Sequence, residues 1–250
     1  MGIFENVRVL AKIGVDDVSP LLITAINQMT AEWRLITDSG MRNEPIVLIR
    51  DASASPPDGV RLLISGSPAP YHGLSESDVA DNRDLFTESD VVFVDGYSLL
   101  SEASNLAVSK AIETARSAGT RVCVDAVPHD IDKRIGGFAV LEFLKKGDVA
   151  IIEARTLCRI MGITPPSPLN DEFLSTLVVK IDESKIKDKI LILRYGEGDI
   201  SRTAIYRPSQ KLVRYDTGYL EADQKAGYGD LLAAREIADI MTSDDRQISE

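Results

Sequence analysis

The sequence has few of the residues that carry metal, redox and triad chemistry. Its 250 residues include two cysteines and two histidines. Cys123 and Cys158 show neither Cys-x-x-Cys nor histidine spacing, so we expect two buried, reduced thiols, as is usual in a cytoplasm. The sequence also lacks a Gly-x-Ser-x-Gly elbow, a phosphate-loop motif and a Gly-x-Gly-x-x-Gly dinucleotide loop. Triad hydrolases, P-loop proteins and Rossmann dehydrogenases therefore lack their key element.

Basic clusters and long apolar runs are also missing. There are 28 Lys and Arg residues against 39 Asp and Glu residues, a formal charge of −11, and the basic residues form no run. This balance argues against binding to nucleic acid or to an anionic membrane. Residues 1–6 do not resemble a signal peptide, and no apolar stretch approaches membrane-spanning length. We expect a cytoplasmic protein with small-molecule partners.

From residue 90 onward, apolar strands alternate with helices. The predicted strands are 91–94, 121–124, 149–152 and 190–193, and the predicted helices are 101–118, 137–146, 154–161 and 171–181. This alternation predicts an α/β fold, a mostly parallel sheet with helices on both faces. Ligands of such sheets bind outside the carboxyl ends of the strands, where the sequence places Tyr97, Asp125 and Glu153.

The N-terminal part has a different rhythm. A strand over 7–13 precedes a helix that we expect Ser19 to cap, with Pro20 in its first turn. Three strand-like runs follow at 33–37, 45–49 and 60–64, and they predict a small antiparallel sheet. We therefore expect a core domain of residues 1–32 and 71–250 with a small β lid of residues 33–70. Open strand edges in the lid favour a homodimer.

Gly227-Tyr228-Gly229-Asp230 is the segment with the clearest chemical potential. It precedes the apolar, helix-forming run 231–238. Backbone N–H groups at such a loop and the positive helix end together form an anion site. Asp230 at its rim would take a proton from an attacking hydroxyl, while the amides of Gly227, Tyr228 and Gly229 hold the phosphoryl charge. The alternative is an ordinary helix start with Asp230 as a first-turn acid.

A second copy of the same spacing provides a control. Residues 196–199 also read Gly-x-Gly-Asp, but they lie between the β-rich runs 190–193 and 203–206. That context predicts a hairpin-like turn. The functional interpretation therefore applies to residues 227–230.

The segment 227–230 also resembles the Gly-Ala-Gly-Asp signature of ribokinase-type (PfkB) carbohydrate kinases. Collinear likenesses extend over about residues 7–242: the strand ending in Gly-x-Asp at 10–17, two lid strands at 45–48 and 58–61, the strand at 90–96, and the loop at 124–128. The resemblance implies a ribokinase-like parallel core, a β lid and ATP-dependent phosphorylation of a sugar-like hydroxyl. On the family pattern, Asp230 is the base and residues 227–229 form the anion hole.

The family pattern assigns three further residues. The Asn-x-x-Glu motif aligns with residues 153–156, so that Glu153 would serve a hydrated Mg²⁺ ion. Lys225 stands in the segment before the anion hole and would pair with a phosphate. The nucleotide loop aligns with residues 193–198, in which Tyr195 replaces a glycine and Gly198 is kept. ATP and Mg²⁺ are the implied cofactors.

Three functional hypotheses stay open. The first is a phosphotransferase acting on a sugar-like or nucleoside-like hydroxyl. The second is a catalytically silent ribokinase-like protein that binds a nucleotide or a protein, favoured by the changed nucleotide loop and by a start beyond the family's first strand and Gly-Gly segment. The third is a homodimer formed through the lid, without a small-molecule role.

Four other residues have a plain structural interpretation. His129 lies in a strand-end loop and is expected to be a solvated histidine rather than a metal ligand or an acid–base group. Trp33, Phe138 and Phe143 are expected to pack in a core or an interface.

Overall fold

The computed structural model describes residues 4–29, 31–43, 46–50, 61–65, 73–166, 169–195, 200–208, 212–219 and 228–247. Its strands are β1 (Arg8–Gly14), β2 (Glu32–Asp38), β3 (Ile46–Arg50), β4 (Arg61–Ser65), β5 (Val91–Asp95), β6 (Arg121–Asp125), β7 (Val149–Glu153), β8 (Ile190–Tyr195), β9 (Ile200–Tyr206) and β10 (Val213–Tyr219). Its helices are α1 (Ser19–Asn27), α2 (Glu76–Asp81), α3 (Asp84–Thr87), α4 (Glu102–Ser117), α5 (Ile131–Ile135), α6 (Gly137–Lys146), α7 (Ala154–Ile160), α8 (Asp171–Asp182) and α9 (Tyr228–Gln247). A 3-10 turn covers Gly96–Leu100.

The chain forms two compact units. The first is built from stretches within residues 1–51, 60–92 and 98–120, and the second from stretches within 52–59, 93–97 and 121–250. The predicted lid of residues 33–70 includes positions 44–45, 51–60 and 66–70, which lie outside the described residues. The division into core and lid therefore stays a prediction.

A six-stranded sheet forms the centre of the fold, in the order β10-β9-β8-β7-β6-β5. β6, β7 and β8 pair in parallel, while β9 pairs antiparallel with both β8 and β10. Consecutive residues of β8, from Leu191 to Leu193, have no exposed surface. Because successive side chains of a strand point to opposite faces, protein must cover both faces there. The predicted α/β fold, with a mostly parallel sheet flanked by helices, is confirmed.

Amphipathic helices supply that cover. α6 contacts β6 and β7, and α7 contacts β7 and β8. α8 buries Leu174, Leu177 and Ile181, which recur at helical spacing and form one face. The sequence predicted α6 with its observed bounds, and it predicted α7 and α8 to within one residue at each end.

The first unit corrects one prediction. β3 and β4 pair antiparallel as expected, but β2 pairs in parallel with β1 instead of joining them. The reason lies in the connection: α1 lies between β1 and β2, and a helical crossover returns the second strand in the direction of the first.

The start of α1 is also organised differently from the prediction. Its N-cap is Val18, and the Ser19 hydroxyl donates to the Gly14 carbonyl at 2.7 Å. The carboxylate of Asp16 accepts instead from the N–H groups of Val18 and Ser19, at 3.0 and 3.2 Å. Asn43 adds its side-chain amide at 2.8 Å and its backbone N–H at 2.7 Å. These hydrogen bonds, led by the Asn43 side chain, lower the pKa of Asp16 to about 2.

Buried and exposed side chains agree in part with the sequence. Cys123 and Cys158 are buried as expected, and neither forms a disulfide. Phe143 belongs to the core, whereas Phe138 is 73% exposed and does not, so its packing in an interface stays a prediction. Among the described helices, none has the length and apolar character needed to cross a membrane.

Gly96 lies directly after β5, at a point where two backbone segments approach each other closely. A Cβ at this position would lie 2.4 Å from the carbonyl oxygen of Val127 and 2.7 Å from Cδ1 of Ile131. The loop after β6 can therefore pack against the end of β5 only if residue 96 has no side chain.

We predict that Gly96→Ala lowers the free energy of unfolding by about 1–3 kcal/mol, because the added methyl group forces the backbone apart. The matched control is Gly137→Ala, where the nearest atoms belong to Ile160 at 3.5 Å, an ordinary contact. The control should change stability by less than about 1 kcal/mol. Urea unfolding of both variants measures the difference, and equal stability for the two would contradict the prediction.

Candidate functional site

The carboxyl ends of the parallel strands carry acidic residues. β6 ends at Asp125 and β7 ends at Glu153, as predicted. Because β6, β7 and β8 run in the same direction, their ends share one edge of the sheet. Tyr97, the third residue expected at a strand end, lies in the 3-10 turn after β5 and is 48% exposed.

A buried cluster of charged residues lies at this edge. One Nη atom of Arg194 lies 3.7 Å from Oδ2 of Asp125, and the other lies 3.4 Å from Oε2 of Glu236. The hydroxyl of Thr203 donates to Oε1 of Glu236 at 2.6 Å. Asp125 is 4% exposed, Glu236 is 1% exposed and Thr203 is fully buried. The guanidinium thus lies between two carboxylates that come from different elements.

Strand register explains why these side chains meet. Asp125 is level with Ile151, and Ile151 is level with Ile192, two residues before Arg194. Arg194 is directly opposite Thr203 on β9. Since side chains on a strand alternate between faces with a period of two, Asp125, Arg194 and Thr203 point to the same face. Glu236 reaches that face from α9.

Burial and neighbouring charges shift the acids of the cluster. Burial raises the pKa of Asp125 to about 6, and the negative charges of Glu236, Asp230 and Asp95 add to this effect, while Arg194 opposes it. Burial also raises the pKa of Glu236, against the lowering effect of Arg194 and Thr203. The charge of Asp230 acts on Asp125, so the two carboxylates lie within electrostatic reach of each other.

Asp230 lies in the first turn of α9, which begins at Tyr228. Tyr228 and Gly229 are therefore helical, where the sequence predicted a loop before the helix. The first N–H groups of a helix have no acceptor within the helix and can bind an anion. Gly227, Gly198 and Lys225 lie outside the described residues. The anion hole of residues 227–229 and the nucleotide contacts of Gly198 and Lys225 remain predictions.

Glu153, the predicted magnesium residue, contacts the exposed His129. The imidazole Nδ1 lies 2.6 Å from Oε1 of Glu153, and this hydrogen bond is the main cause that raises the pKa of His129. The His129 side chain is 77% exposed, so the expectation of a solvated loop histidine holds, but the residue has a partner. The fully buried Thr156 donates to the His129 carbonyl at 2.8 Å, which ties this loop to α7.

The acids at this edge suit magnesium only in a hydrated form. Among the described residues, no three His, Cys, Asp or Glu side chains come together as a metal-binding group. Mg²⁺ retains several waters and often needs only one or two protein carboxylates together with substrate phosphates. The magnesium role of Glu153 stays a prediction.

The segment predicted as the nucleotide loop begins as a strand. Residues 193–195 complete β8, and Tyr195 is 8% exposed and level with Arg202 of β9. Residues 196–199, the second Gly-x-Gly-Asp copy, lie outside the described residues. β8 and β9 on either side of them pair antiparallel, which agrees with the hairpin interpretation.

The sequence prediction missed Arg194, Thr203 and Glu236 as members of the site. A signal existed for two of them. Arg194 directly follows the apolar run 190–193, and Glu236 interrupts an apolar stripe of α9 formed by Leu232, Ala233, Ile237 and Ile240. Two opposite charges at positions that the pattern predicts to be buried indicate a buried pair.

Solved structures match the fold of this chain, which is ribokinase-like. The adenosine kinase from Schistosoma mansoni in complex with 2-fluoroadenosine matches with a TM-score of 0.70 at 14% identity, over 94% of this chain and 67% of that chain. A fructokinase from Xylella fastidiosa matches with a TM-score of 0.65 at 12% identity, over 86% and 62% of the two chains. A ribokinase from Giardia lamblia matches with a TM-score of 0.61 at 14% identity, over 86% of this chain and 59% of that chain.

These matches establish the fold and no more, because every identity is below 15%. The chain spans between 59% and 67% of the length of the three solved chains. No protein-family model and no curated protein matches the sequence.

We predict a pH-dependent contribution of Asp125 to stability. Its pKa is about 6 in the fold against 3.8 for an ordinary aspartate, so the folded state holds the proton more tightly. The stability it contributes is complete below pH 4 and is lost as pH rises through about 6, by about 3 kcal/mol. In urea unfolding, the stability of the parent relative to Asp125→Asn should fall by that amount between pH 3 and pH 7. A difference that does not change with pH would contradict the prediction.

Proposed function

We propose that this chain transfers the γ-phosphoryl group of ATP to a hydroxyl of a small sugar-like or nucleoside-like molecule. The observation that carries the proposal is the place of Asp230, in the first turn of α9 and within electrostatic reach of Asp125 at the carboxyl end of β6. Ribokinase-like neighbours that include an adenosine kinase and a fructokinase support it.

In the proposed reaction, Asp230 accepts the proton of the acceptor hydroxyl. The hydroxyl oxygen forms a bond to the γ-phosphorus, and the bond from that phosphorus to the β–γ bridging oxygen breaks, so that ADP leaves with the electron pair. Backbone N–H groups of residues 227–229 would hold the charge on the transferring group. Gly198 would let the backbone approach the nucleotide, and Lys225 would pair with a phosphate.

The charge of this region favours a nucleotide that carries a cation. The negative charges of Asp95 and Asp230 both act on Asp125, and Arg194 is the cation beside Asp125. Free triphosphate would be repelled by these carboxylates, whereas bound Mg²⁺ would neutralise the phosphates and polarise the γ-phosphoryl group. Glu153 would hold one of the waters bound to that Mg²⁺ ion.

A catalytically silent protein is the second candidate. The observation in its favour is Tyr195, which is buried at the end of β8 where the family has a glycine that admits the nucleotide. The contact between His129 and Oε1 of Glu153 also favours a catalytically silent protein. Such a protein would bind a nucleotide or a partner without turnover.

The discriminating experiment is a thermal-shift and ITC series with ATP and ADP, with and without Mg²⁺, followed by an ADP-release assay with a panel of sugars and nucleosides. A ligand at 100 times its dissociation constant adds about 2.7 kcal/mol of stability, which is easily measured. Nucleotide binding with transfer to an acceptor supports the kinase. Nucleotide binding without transfer supports the silent protein, and no nucleotide binding contradicts the kinase.

We also propose that the chain works in the cytoplasm and forms a homodimer through β3 and β4. Among the described residues, neither strand pairs with a third strand, and exposed strand edges are prone to pair with another copy. Light scattering tests the dimer, since a monomer mass at micromolar concentration would contradict it.

For the reaction itself, we predict that Asp230→Asn lowers turnover by about 10²–10⁴ while nucleotide affinity changes little, because an amide cannot accept the proton. The matched control is Glu172→Gln, which removes another exposed acid, near the start of α8. The control should retain parental turnover. Equal turnover in Asp230→Asn and the parent would remove Asp230 from the mechanism.

A further inference from the structure

Glu236 is a charged residue in the apolar face of α9. Its neighbours on that face are Leu232, Ala233, Ile237 and Ile240, all at most 8% exposed, and Glu236 itself is 1% exposed. Burying a carboxylate is costly unless it is paired and hydrogen-bonded. Its partners therefore determine where this part of the helix can lie.

Both partners come from neighbouring strands of the same sheet. Thr203 on β9 donates its hydroxyl to Oε1 at 2.6 Å, and an Nη atom of Arg194 on β8 lies 3.4 Å from Oε2. The other Nη of Arg194 lies 3.7 Å from Asp125 at the end of β6. One guanidinium thus connects α9 with the ends of two parallel strands.

Directional contacts of this kind fix the rotation of α9 about its own axis, which apolar packing alone leaves variable. Hydrophobic burial is non-directional, whereas a hydrogen bond requires a particular distance and angle. Asp230 precedes Glu236 by six residues, about 9 Å along the helix axis. A shift of α9 by one residue would turn every side chain by about 100° and carry Asp230 away from its place.

We infer that Arg194 and Glu236 are positioning residues that set the rotation of α9 and thereby the place of Asp230. In the phosphoryl transfer proposed above, on which the assignment rests, neither residue touches the reacting atoms. They hold the helix that carries the base and leave the chemistry to Asp230.

Stability and positioning can be separated by mutation. Replacing a buried ion pair by apolar groups of similar volume is often neutral or stabilising, whereas removing one partner is strongly destabilising. The double variant Thr203→Val, Glu236→Leu removes the carboxylate together with the hydroxyl that donates to it, and it leaves Arg194 paired with Asp125. Glu236→Gln is the mild variant, because its amide oxygen still accepts from Thr203 while the ion pair is lost.

The experiment measures hydrogen exchange at the amides of residues 232–235, the first in α9 that bond within the helix. In the double variant we expect about tenfold faster exchange there at unchanged global stability. We also expect about tenfold lower turnover with nucleotide affinity within twofold of the parent. Glu236→Gln should change the same readouts in the same direction by less.

The control is Arg121→Met, which removes the contact of Arg121 with Met241 near the other end of α9. It should leave the exchange of residues 232–235 and the turnover unchanged. Parental exchange in both cluster variants would overturn the positioning role. If the parent itself shows no turnover, the proposed function fails, and the exchange data alone decide the positioning role.

Discussion

The carboxyl ends of β6, β7 and β8 lie at one edge of the sheet because the three strands run parallel, and the charged groups of the candidate site depend on that arrangement. Register then decides which side chains meet, since a slip by one residue would send Arg194 to the opposite face. Both faces of these strands are buried, so such a slip would be costly. The same geometry buries Asp125 at the sheet edge, and this burial, with the neighbouring negative charges as a smaller contribution, raises its pKa.

Local pattern was sufficient to predict the strands β5 to β8 and the helices α4, α6, α7 and α8, although it did not predict α5 or β10. Apolar strand runs such as 149–152 and helical stripes such as that of α8 are strong signals, because burial on two faces or on one face leaves a distinct periodicity. Pairing between strands that are distant in the sequence leaves no such periodicity. The sequence therefore predicted β2 as a strand but assigned it the wrong partners, although α1 before it was a visible crossover.

The candidate site divides in the same way. Asp125, Glu153 and Asp230 were predicted from the sequence as candidates because each follows a strand or opens a helix, and those positions have a known place in parallel folds. Arg194, Thr203 and Glu236 were not, because their contacts join β8, β9 and α9 across separations of 33 and 42 residues. The two Gly-x-Gly-Asp copies make the same point, since neighbouring strands or a following helix, and not the four residues themselves, distinguish them.

The two cysteines give the protein a built-in reporter. Both belong to the second unit, Cys123 in β6 and Cys158 in α7, and neither has exposed surface. Burial raises the pKa of both thiols, so thiolate forms only when the surrounding structure opens. The sequence has no other cysteine. The rate at which a thiol reagent modifies the native protein therefore measures how fast the second unit opens. No residue of the first unit contributes to that rate.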